Sequence, residues 1–121
     1  MNVNTLTILD TTIHGIPSGN YDGSSLDFDS DGAKGVGIYR GQGSIQTVYQ
    51  RIAEFEGVIT IQATLDQLGT DARWVDVYTY SDGSTVENDF NIREVIGNYT
   101  WLRAHVTDFT AGTINFINVS Y

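Results

Sequence analysis

The sequence predicts an all-β fold, an antiparallel β-sandwich or jelly-roll-like body with a loop-rich N-terminal segment. Three observations carry that prediction. Several runs alternate apolar and polar residues with period two, glycine and Asp/Asn/Ser clusters punctuate them, and no window sustains a helical period. Seven or eight short strands at this spacing suit a sandwich or jelly roll.

The chain divides by texture into residues 1–45 and 46–121, within one domain. In residues 3–9, Val3, Leu6 and Ile8 alternate with polar residues, which predicts a first strand. His14-Gly15-Ile16-Pro17-Ser18-Gly19-Asn20-Tyr21-Asp22-Gly23 is dense in turn formers, and Gly32, Gly35, Gly37, Gly41 and Gly43 follow closely. Glycine at that density suits loops and close backbone approach, so the segment is expected to wrap the body or reach a neighbouring subunit.

From residue 44 the pattern becomes regular. Residues 44–53 are rich in β-branched and aromatic side chains. In residues 58–65, Ile59, Ile61, Ala63 and Leu65 share one face, with Thr60, Gln62 and Thr64 on the other. Residues 73–80 place Trp74, Asp76, Tyr78 and Tyr80 opposite Val75, Val77 and Thr79. Ser81-Asp82-Gly83-Ser84 then predicts a hairpin turn, with residues 85–92 returning. In residues 97–107, Leu102, Ala104 and Val106 oppose Trp101, Arg103 and His105. The final run, 112–121, changes parity between Phe116 and Ile117, which predicts a bulge there.

Composition excludes several function classes. The 121 residues suffice for one domain with its own core, and the absence of cysteine removes disulfides and thiolate metal sites. Fifteen acids against six bases give a formal charge of −9, and Lys34, Arg40, Arg51, Arg73, Arg93 and Arg103 are scattered. That balance argues against nucleic acid as a partner. The first residues lack the pattern of a secretion signal, and no apolar run reaches the roughly 20 residues of a membrane helix, so no membrane partner is expected.

The sharpest local motif is Asp27-Phe28-Asp29-Ser30-Asp31-Gly32. Asp27, Asp29 and Asp31 match the first half of a calcium loop, in which alternate oxygen ligands precede a turn glycine. The twelfth position is Ile38, where that motif requires a bidentate Glu, and Asp22 is a further acid for a different cage. Calcium is therefore a candidate ligand set against the alternative of a solvated turn, and no cofactor is required.

Catalytic chemistry is not legible. His14 and His105 lack metal-ligand spacing, no nucleophile-elbow motif occurs, and Glu54 and Glu56 sit two apart on one run. Glycosidases place their acids across a cleft on different elements. The expectation is a protein that is not an enzyme. The aromatic residues Trp74, Tyr78, Tyr80 and Trp101 are the candidate binding residues, since rings beside Asp, Asn and Arg suit both sugar stacking and protein anchoring. One tryptophan is expected to plug the core.

The phrases Gly57-Val58-Ile59-Thr60-Ile61-Gln62-Ala63-Thr64-Leu65, Arg73-Trp74-Val75-Asp76-Val77, Gly97-Asn98-Tyr99-Thr100-Trp101-Leu102-Arg103-Ala104 and Gly112-Thr113-Ile114 occur in that order, preceded by residues 39–48. In this order they resemble small virion-associated β-sandwich proteins of tailed bacteriophages, particularly contractile-tailed phages of marine cyanobacteria. The resemblance runs from about residue 5 onward. It implies a structural protein of the virion with no catalytic residues to carry over. The expected role is a capsid decoration or cement protein that binds the major capsid protein or other virion proteins, as a candidate homo-trimer, with residues 1–45 as clamp. The alternative is a carbohydrate-binding module of a phage tail or capsid surface.

Overall fold

The computed structural model describes residues 5–34, 45–66, 73–80, 89–97 and 99–120. The all-β, antiparallel expectation holds, and no helix occurs among the described residues. Four short strands, β1 (Thr5–Leu9), β2 (Thr12–Ile13), β3 (Phe28–Asp29) and β4 (Ala33–Lys34), precede the long β5 (Ile45–Thr64). Then come β6 (Val75–Thr79), β7 (Asp89–Ile96) and a second long strand, β8 (Trp101–Ser120).

All eight belong to one continuous sheet built around the β5–β8 pair. One edge of β8 is lined in turn by β1, β2, β3 and β4, and the far edge of β5 by β7 and β6. The two runs expected within 44–53 and 58–65 are therefore parts of one strand, β5, and those expected within 97–107 and 112–121 are parts of β8. The predicted pairing of 73–80 with the returning run is corrected: β6 and β7 both pair with β5, at opposite ends. The turn at residues 81–84 lies outside the described residues.

What fuses each pair of runs is a corner rather than a loop. The β5–β8 register shifts between Ala53 and Glu56 and again between Glu56 and Val58. Glu54 and Asp108 adopt positive φ of 53° and 52°, and Gly112 sits at 92°. Bulges bend and twist a strand pair where they interrupt its ladder. The bend is large, because β1 and β4 approach each other although they pair with the two ends of β8. Along a straight strand those ends would be about 50 Å apart.

The sheet thus has a first arm (β1, β2, the C-terminal half of β8, the N-terminal half of β5, β7) and a second arm (β3, β4 and the other halves, with β6). Both arms contribute to one core, in which Val48, Ile52, Ile59, Ile61, Ala63, Leu102, Ala104, Val106, Ile114, Ile117 and Val119 are buried. Phe55 and Phe109, both fully buried, meet at the corner with ring centroids 5.6 Å apart. Tyr21 and Phe28 from the N-terminal segment complete this aromatic cluster. Both tryptophans are half-buried outside the core, which corrects the expectation that one would plug it.

The bulge predicted beside Phe116 is present. Arg51 pairs with Phe116 and Ile52 with Ile114, so Asn115 is the extra residue. It turns Phe116 outward against Tyr49 while Ile114 and Ile117 remain inside.

Candidate binding surfaces

Two surfaces carry the functional side chains, an outer polar face on the second arm and an open seam between the arms. Both depend on a bulge in β6. Ile61 pairs with Tyr78 but Gln62 with Asp76, leaving Val77 as the extra residue. Cross-strand partners share a face, so Tyr78 joins Ile61 on the inner side and Asp76 joins Gln62 on the outer side. Trp74, Asp76, Tyr78 and Tyr80 therefore do not form the single face that simple alternation predicts. Tyr78 and Tyr80 pack on the core, whereas Trp74 and Asp76 stand on the outer face.

That outer face is an ordered ladder. Gln62 Nε2 donates to Asp76 Oδ1 at 2.8 Å, and Arg103 Nε donates to Gln62 Oε1 at 2.8 Å. The Arg103 guanidinium lies 4.4 Å from the Trp74 ring centroid, a cation–π stack, and its Nη1 is 3.6 Å from Asp29 Oδ2. Asp29 Oδ1 also meets His105 Nδ1. Thr60 and Thr79 exchange a hydroxyl contact of 3.3 Å in the same row as His105. One residue beyond the pair Ala63–Val75, Trp74 comes level with Thr64, whose partner on its other side is Trp101. The two tryptophans consequently flank Thr64 on one face. The indole Nε1 of Trp101 is buried without a hydrogen-bond partner among the described residues.

The seam runs between the edges of β6 and β7 that have no strand partner among the described residues. On the opposite side of the sheet β1 and β4 close together; here a cavity of about 550 Å³ remains, lined by Asp76, Val77, Tyr78, Arg93, Val95 and Tyr99 among others. A second cavity of about 330 Å³ adjoins it at Tyr99 and includes Leu65 and Val75. Arg93 sits 5.2 Å from the centroid of the Tyr78 ring. Burial pushes the Tyr78 hydroxyl up to about 12, with Arg93 pulling the other way, and its oxygen has no hydrogen-bond partner among the described residues. Exposed apolar side chains gather at the seam: Leu65 is 71% exposed, Ile96 69% and Val75 55%.

The acidic loop does not bring its carboxylates together. Asp27 Oδ1 accepts from the Asp108 amide at 3.1 Å, Asp31 Oδ1 accepts from Asn20 Nδ2 at 2.9 Å, and Asp29 turns to Arg103 and His105. Asp22 is engaged elsewhere, accepting from the Ser24 and Ser25 amides at 2.8 and 2.7 Å and the Ser25 hydroxyl at 2.7 Å. These bonds, the Ser25 hydroxyl foremost, pull its carboxyl down to about 2. No group of three or more acids or histidines that could hold a metal occurs among the described residues. Asp22 thus holds its own turn, while Asp27, Asp29 and Asp31 each engage a different partner.

Sequence reasoning missed Gln62 and Asp29 as members of the aromatic face, and Tyr99 and Arg93 as members of the seam. Gln62 had a signal, being on the polar face of residues 58–65. Asp29 had none, because its place depends on pairing with His105 across 76 residues.

No known protein family, curated protein or solved structure matches the chain.

Proposed function

We propose that this chain is a structural protein of a bacteriophage particle, a jelly-roll-like sandwich made from one bent sheet, that decorates the capsid by binding coat or other virion proteins. The observation that carries this reading is the open seam. Strand edges left unpaired among the described residues offer N–H and C=O groups to an extended segment of another chain, and such edges ordinarily carry protection against pairing. Here β7 contains neither proline nor glycine to break the edge, although it carries Arg93 and Glu94, and Leu65, Val75 and Ile96 supply apolar anchors beside it. The docking element is thus the seam in place of the N-terminal clamp. Residues 5–34 are stitched along β8 of their own sheet, and residues 35–44 lie outside the described residues.

The mechanism is additive and non-catalytic. Each copy that binds folded coat subunits and not unfolded ones raises particle stability by mass action. Surface acidity keeps unbound copies soluble at high number. Antibody labelling of purified particles tests the reading. Regular label over the head supports it, whereas label restricted to the tail, or none, overturns the decoration role. Leu65→Asp together with Ile96→Asp should abolish particle binding while leaving the far-ultraviolet circular dichroism unchanged.

A further inference from the structure

We propose that the outer face of the second arm is a platform for a neutral glycan chain, with Trp74 and Trp101 as stacking surfaces and Gln62, Asp76 and Arg103 as the groups that read hydroxyls. The face meets the seam only at Asp76, which also lines the seam cavity, and the proposal does not rest on the decoration reading. A pyranose presents an apolar C–H face and a rim of hydroxyls, so its receptor needs aromatic surface and, beside it, both donors and acceptors. The second arm supplies these on adjacent strands.

Trp74 and Trp101 flank Thr64 across two strand spacings, which separates their backbones by about 10 Å. That is close to the length of a disaccharide unit, and because Thr64 between the rings is itself buried, a chain would lie across the indoles and not in a groove between them. The next row is Asp76, Gln62 and Arg103, locked by the two 2.8 Å bonds. These bonds use one oxygen of Asp76, leaving the other free to accept, and one N–H each of Gln62 and Arg103. Side chains already held by one another lose little freedom when a ligand arrives. Asp29 anchors the far side of Arg103.

Charge selects among polymers. The Arg103 cation is answered by Asp29 within the face, and the whole chain carries −9. An acidic polysaccharide would approach against that field, whereas an uncharged one meets no such barrier.

The chain offers its own reporter, because Trp74 and Trp101 are its only tryptophans. The full-length protein is titrated with xylan, mannan and β-glucan oligosaccharides, and with alginate as an acidic comparison, while indole fluorescence and its quenching by acrylamide are followed. We expect a saturable change and protection from acrylamide with at least one neutral glycan. Trp74→Ala should weaken that binding about tenfold, the loss of one stacked ring. Tyr49→Ala, on the outer face of the first arm, should leave it unchanged. Absence of both signals with every neutral glycan overturns the proposal in the wild-type protein alone. So does binding to alginate only, or neutral-glycan binding that survives both Trp74→Ala and Trp101→Ala.

Discussion

Gly112 is where the sheet turns its corner, and replacing it with alanine tests the corner directly. A Cβ at this position would lie 2.3 Å from the Glu54 carbonyl oxygen, 2.5 Å from its carbon and 2.7 Å from the Phe55 Cα. All three are backbone atoms of β5, so no rotamer change relieves the overlap. Gly15 provides the control: its φ of +88° resembles the +92° of Gly112, yet a Cβ there meets nothing within 4 Å. A side chain at positive φ costs roughly 1–2 kcal/mol, offset by about 0.4–1 kcal/mol from the less flexible unfolded chain. Gly15→Ala should therefore destabilise by about 1 kcal/mol. Overlap that the surroundings cannot relax adds roughly 1–3 kcal/mol, which brings Gly112→Ala to about 3 kcal/mol. Equilibrium urea unfolding followed by circular dichroism measures both. If Gly112→Ala is no more destabilised than Gly15→Ala, the close approach of β5 and β8 at the corner is wrong.

Three further outcomes are expected. Ser30 Oγ accepts the buried Ala104 amide at 2.8 Å, so Ser30→Ala should cost about 1–3 kcal/mol in the same urea assay; a loss under about 0.5 kcal/mol would contradict that bond. Asp22, drawn from 3.8 to about 2, contributes stability that is present above 3.8 and lost as pH falls through 2. An NMR titration of its carboxyl with a midpoint near 3.8 would refute the hydrogen-bonded turn. Tyr78 stays neutral in the fold to about 12, so the unfolded chain ionises first and stability should fall as pH rises above 10.0. Phenolate absorbance should show one late tyrosine that Tyr78→Phe removes, whereas seven tyrosines titrating together near 10 would contradict its burial.

Much of the sheet was legible because period-two alternation reports which face of a strand is dry. Ile59, Ile61 and Ala63, and likewise Leu102, Ala104 and Val106, are all fully buried as their spacing implies. The parity change beside Phe116 placed a bulge within one residue of Asn115. The β6 bulge was hidden, because Val75 and Val77 read as a regular apolar row and nothing local marks the extra residue. The corner is not legible, since Glu54, Gly57, Asp108 and Gly112 are residues that loops also use and each long strand reads as two separate runs. Strand pairing was the least legible of all. β6 and β7 are close in sequence and carry an Asp-Gly turn signal between them, yet each pairs with β5, and the long-range partner outweighs the local hint. The aromatic face inherits that difficulty: Trp74 and Trp101 were identified singly, while the Gln62–Arg103–Asp29 connection that unites them depends on three strands of distant sequence.

The decoration reading requires that the open seam receive a partner. Hydrogen exchange of the β7 amides, measured on the free protein and on protein bound to particles, tests it most directly. The amides of Asp89–Ile96 that face away from β5 should exchange fast in the free chain and become protected on the particle. Protection confined to β1–β4, with β7 exchanging as before, would contradict the claim.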